Sequence, residues 1–90
     1  MISGPDSERV DEIAERLGRL TGDRPSVTSG KSEGAVRVSV RVRGLHDEEL
    51  AMAVLAELGR ADRYGHRRSQ HGEYVWAEVG GASVLNGGLR

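Results

Sequence analysis

One short motif occurs twice in this chain, and its repetition limits the fold more than any single residue does. Leu17-Gly18-Arg19 closes one apolar-periodic segment and Leu58-Gly59-Arg60 closes another. Each is followed by an Asp-Arg pair (Asp23-Arg24, Asp62-Arg63), a polar turn ending in glycine (Gly34, Gly72) and a run rich in valine. Internal similarity constrains architecture before any residue is given a role. The pattern predicts two helix–strand–strand units, over about residues 6–43 and 46–79, within a single α+β domain spanning 1–79. Four glycines in residues 80–90 mark that segment as a flexible tail in which Val84-Leu85 is the only apolar pair.

Local chemistry supports each element. Pro5-Asp6-Ser7 offers a helix start with Asp6 or Ser7 as N-cap, and Val10, Ile13, Ala14 and Leu17 recur at helical spacing. Gly18 or Gly22 supplies the stop. Asp47 caps a second helix whose stripe is Leu50, Ala51, Val54, Leu55 and Leu58, and Gly59 ends it. Between the helices Val36, Val38, Val40 and Val42 alternate with Arg37, Ser39 and Arg41, the period-two pattern of a strand with one buried face. Gly30–Gly34 reads as a turn, which makes Ser26–Ser29 the partner strand of a hairpin. Asp62–Arg68 and Glu73–Val79 form the matching hairpin around Ser69–Gly72.

The order αββαββ is a circular permutation of the ferredoxin-like βαββαβ arrangement. Mapped in that way, the apolar strands Ala35–Arg43 and Glu73–Val79 become the central pair, and the polar strands near Val27 and Arg67 become edges, where charge discourages stray pairing. Both helices then cover one face of a four-stranded antiparallel sheet and leave the other face bare.

The bare face is the candidate site. If the valines point at the helices, Arg37, Ser39, Arg41 and Arg43 point away, and Tyr74, Trp76 and Glu78 join them from the neighbouring strand. Arginine and tryptophan anchor protein interfaces, so the leading expectation is a small non-enzymatic interaction or assembly module that forms a homodimer through this face or receives a protein partner there. The alternative is single-stranded nucleic acid, because aromatics beside arginines on an open sheet hold unstacked bases. A small enzyme with its site at a dimer interface comes third, since no catalytic pair is visible. A further possibility is the opposite register of strand 73–79, which would place Trp76 in the core and Val75 outside.

Other constellations carry less. His66 and His71 flank the second turn and, facing each other with Asp62 or Glu73 nearby, would make at most a weak metal site; solvated loop histidines are the expected outcome, and no metal or cofactor is expected. His46, beside the second helix's cap, reads as a local hydrogen-bonding residue. Gly30-Lys31-Ser32 resembles the end of a phosphate-binding loop, but Pro25 stands where its first glycine belongs and a strand follows in place of a helix. The basic cluster Arg60, Arg63, Arg67 and Arg68 is expected to be a solvated edge strand. A net charge of −1 gives no global attraction to polyanions, so such binding requires a local patch. There is no cysteine for a disulfide, thiolate nucleophile or thiolate metal site. No apolar run approaches the roughly 20 residues of a membrane span, and Met1–Gly4 is too short and polar for a signal peptide, so the expected setting is cytoplasmic, away from membranes.

Overall fold

The computed structural model describes residues 4–44 and 47–81, so His46 and the tail from residue 82 onward, with Val84-Leu85, lie outside the described residues. Along the chain run α1 (Gly4–Thr21), β1 (Ser26–Ser29), β2 (Ala35–Val42), α2 (Glu48–Leu58), β3 (Arg63–Ser69) and β4 (Gly72–Gly80). The strands form one antiparallel sheet in the order β1-β2-β4-β3. The two most apolar strands are therefore central neighbours, and the polar ones are edges. Two helices pack on one side of this open sheet.

The helix ends follow local chemistry, with one correction. α1 begins at Gly4, ahead of the expected caps, and Asp6 sits inside the first turn, where it pairs with Arg9 at 3.0 Å. Proline is tolerated in a first helical turn because the N–H it lacks has no intrahelical partner there, so Pro5 lets the helix start early. Its stop is Gly22, not Gly18. Gly22 takes φ 76° and donates its N–H to the Gly18 carbonyl at 2.8 Å, the left-handed closure that glycine makes without steric cost. In α2 the Asp47 carboxylate accepts the Leu50 N–H at 3.2 Å, and Gly59 closes the last turn on the Leu55 carbonyl at 3.0 Å.

Alternation along β2 and β4 builds the core. Val38, Val40 and Val42 meet Val75, Ala77 and Val79 on the helix side, under Val10, Ile13 and Leu17 of α1 and Val54 and Leu58 of α2. Val36 is only partly buried at the margin. The α2 stripe differs from the periodic expectation. Leu55 is 49% exposed, whereas Glu57 is buried. α1 packs beside α2 and takes up the side on which Glu57 lies; Arg60 at 2.8 Å and Arg16 at 3.7 Å neutralise its carboxylate. Leu55 is left on the side toward β3, where it lines an apolar cleft of about 330 Å³ with Val54, Leu58, Tyr64 and Val75.

Charged contacts tie the first helix to the loop after the second. Arg9 reaches Asp62 at 3.0 Å and the Arg60 carbonyl at 3.1 Å, and Arg60 reaches Glu12 at 2.6 Å. Asp62 also accepts the Gly80 N–H at 2.7 Å. That backbone bond, followed by Arg9, outweighs desolvation and holds the Asp62 carboxyl below its ordinary value. No helix among the described residues is long and apolar enough to cross a membrane.

Candidate binding face of the sheet

In an antiparallel sheet, directly opposed residues point to the same side. The registers therefore arrange the helix-free face in three rows across β2, β4 and β3. The first is Arg37–Glu78–Arg63, the second Ser39–Trp76–Gly65 and the third Arg41–Tyr74–Arg67. β1 adds Thr28 beside Arg37 and Ser26 beside Ser39. The register that would bury Trp76 is excluded: Val75 and Ala77 enter the core, and Trp76 stands half-buried on the other side.

Sequence reasoning placed Arg37, Ser39, Arg41, Tyr74 and Trp76 on one face, and the structure brings these five together. Arg43 is a correction. It lies beyond the end of β2, is largely exposed, and pairs with Asp23 at 3.4 Å, so the alternation that carries the other arginines does not extend to it. Two members of the face were missed. The expectation of a solvated edge cluster does not hold for Arg63 and Arg67, because that cluster divides by row. Arg60 turns to Glu12 and Glu57, Arg68 to Glu73 at 2.9 Å, and Arg63 and Arg67 join the open face. The spacing Arg63-x-Gly65-x-Arg67 was the available signal, since period two puts all three on one side of a strand.

The first row is a closed ion cluster. Glu78 is only 3% exposed although it faces away from the helices. Its carboxylate accepts from Arg37 Nε at 2.8 Å and from the Lys31 N–H at 3.1 Å, and Arg63 Nε lies at 3.3 Å. Burial by itself raises this carboxyl; the Lys31 N–H, Arg37 and Arg63 outweigh it and leave it below its ordinary value. Lys31 thus directs its N–H to an internal carboxylate, in a hairpin turn.

The second row positions the indole. The Arg37 guanidinium carbon lies 4.1 Å from the Trp76 ring centroid, a cation–π contact held in place by Glu78. At Gly65 an added Cβ would stand 2.6 Å from Trp76 Cζ2 and 2.8 Å from Nε1, so the indole edge occupies the volume a side chain would need. At an unobstructed strand position Gly→Val is favourable by up to about 1 kcal/mol. Here Gly65→Val is expected to destabilise by about 1–3 kcal/mol and to shift Trp76 emission as the ring is displaced. A stabilised variant with unchanged emission, measured by thermal melt and fluorescence, would refute this packing.

The third row is where charge is left over. Among the described residues no carboxylate pairs with Arg41, whose guanidinium packs over Gly72, and none pairs with Arg67. Beside this row Arg37, Ser39, Arg67, Tyr74 and Trp76 enclose a cleft of about 290 Å³.

The histidines take other positions. Val75, not His71, stands across from His66, which reaches Glu73 at 3.3 Å; His71 lies in the turn, with its N–H on Ser69. Arg68 first, and His66 more weakly, hold Glu73 below its ordinary value against desolvation. Among the described residues no three His, Cys, Asp or Glu side chains are placed to share a metal ion. Neither the protein-family models, the curated proteins nor the solved structures contain a match to this chain.

Proposed function

We propose that this protein is a non-enzymatic binding module whose helix-free sheet face takes single-stranded nucleic acid. The observation that carries the reading is the Arg41–Tyr74–Arg67 row: two guanidinium groups that have no carboxylate partner among the described residues, on the strands either side of an aromatic residue. Phosphates supply the missing counter-charge, and unstacked bases supply flat partners for Tyr74 and Trp76. Four arginines share the face with one glutamate, and that glutamate is already neutralised, so the local field is positive although the whole chain carries −1. The strand order also supports reading the fold as a circularly permuted ferredoxin-like sandwich of two αββ units, an architecture that leaves one sheet face free.

Self-association through the same face is the second reading, favoured by the half-buried Trp76 and Tyr74. Its difficulty is electrostatic. A two-fold axis through this face sets the arginines of one copy against those of the other, and among the described residues the face has no carboxylate that is not already paired.

The test is fluorescence anisotropy of a labelled single-stranded oligonucleotide, titrated with the full chain from low to moderate salt. Binding should weaken as salt rises, and Arg41→Ala with Arg67→Ala should reduce the log–log salt slope by about 1.4, the amount expected for two lost phosphate contacts. No binding at low salt, or a slope unaffected by the double variant, would defeat the reading. A dimer in light scattering that the double variant strengthens would assign the face to self-association instead.

A further inference from the structure

We infer that the cleft between the second and third rows is a subsite for one unstacked nucleobase, with the flanking phosphates on Arg41 and Arg67; this rests on the nucleic-acid reading above. Three observations converge on it. The first is size, since about 290 Å³ holds a single planar base with room to spare and does not hold a duplex.

The second is spacing. Tyr74 and Trp76 stand two residues apart on one side of β4, a repeat of about 6.8 Å along an antiparallel strand. Carbon atoms in contact lie about 3.5–4.0 Å apart, so one flat ring inserted between two others needs roughly 7–8 Å, close to this repeat. The Arg37 guanidinium lies 4.1 Å from the indole centroid and forms part of the same cleft wall, and Glu78 holds it in place.

The third is the placement of polar groups. Ser39 opposes Trp76 across the sheet and lines the cleft, which puts a hydroxyl able both to donate and to accept at the base edge. Arg41 and Arg67 stand on opposite sides of Tyr74, on different strands. A base in the cleft thus has Arg67 in its wall for one flanking phosphate, and Arg41, packed over Gly72 beyond Tyr74, for the next along the strand. The subsite recognises the unit base-plus-two-phosphates, not charge alone.

The experiment compares a labelled 12-mer of ordinary nucleotides with a 12-mer of the same length and charge in which every residue is abasic. The ordinary strand should bind at least tenfold more tightly and quench Trp76, whereas the abasic strand should bind weakly without quenching. Tyr74→Leu, which keeps apolar bulk but has no π-face, should lower affinity for the ordinary strand by about 5- to 100-fold and leave the salt slope intact. Tyr74→Phe should bind like the parent. Equal affinity for the two strands, or an unchanged Tyr74→Leu variant that circular dichroism shows to be folded, overturns the base subsite while leaving a phosphate-binding face. Failure of both strands to bind at low salt overturns the nucleic-acid reading itself.

Discussion

Replacing Leu17 with alanine is expected to remove about 2–5 kcal/mol of stability, by far more than the same change at Leu55. Leu17 is fully buried where α1 crosses β2 and β4, in a core that contains no phenylalanine to relax into a void. A domain of this size has on the order of 5–13 kcal/mol in total, so one methyl-branched side chain represents a large share. At about 4–8 °C per kcal/mol, a loss of 3 kcal/mol lowers the melting temperature by roughly 12–24 °C. Leu55 lies at 49% exposure on the open side of α2, and Leu55→Ala should cost no more than about 1 kcal/mol. Periodicity alone assigns the two leucines equal status. Equal losses in a denaturant titration would mean that α2 packs with its full stripe inward, contrary to the structure.

The second large effect is expected at Glu78. Its carboxylate is buried among Arg37, Arg63 and the Lys31 N–H, so Glu78→Ala removes the shared partner of two guanidinium groups and one backbone donor, although Arg63 keeps its bond to the Gly80 carbonyl. Removing one partner of a fully buried pair costs about 3–5 kcal/mol. Arg37 and Arg63 retain 21% and 30% side-chain exposure and regain some water, which brings the expected loss to about 2–3 kcal/mol. The variant should also change Trp76 emission, because the guanidinium over the indole loses its anchor. The pH dependence has a definite sign. Glu78, Asp62 and Glu73 all have folded values below their ordinary ones, so each contributes stability that is present above its unfolded value. That contribution is lost as pH falls below about 4 and through the lower folded values. Stability measured from pH 6 down to pH 2 should therefore fall less steeply in Glu78→Ala than in the parent. Superimposable acid limbs, or a variant as stable as the parent, would exclude the clamp.

Much of the architecture was legible because it depends on nearest neighbours in the chain. Strict alternation of valine along residues 36–42 leaves one strand register with a buried face, and a slip of one residue would expose every valine. Asp47 and Gly59 act within a single helical turn, so their roles follow from the residues beside them. The same alternation placed Arg37, Ser39, Arg41, Tyr74 and Trp76 on a common face once two strands were taken as neighbours. Arg63 and Arg67 were not legible in the same way. A polar edge strand has no apolar face to fix its phase, and only the hairpin register to β4 sets which side each arginine takes.

The sequence by itself determined the element order, the central strand pair and the side of the sheet that stays polar, because each depends on periodicity and on caps a few residues long. Tertiary structure decided the rest. Glu57 is inside and Leu55 outside because α1 packs against one side of α2, a fact absent from the α2 stripe. Glu78 is buried on the supposedly bare face because arginines from two different strands and a turn N–H converge on it. Arg41 and Arg67 lack carboxylate partners among the described residues because that one glutamate engages the other two arginines of the face. Pairings between residues 15 to 47 positions apart leave no trace in local pattern, and they set which charges the face still offers to a ligand.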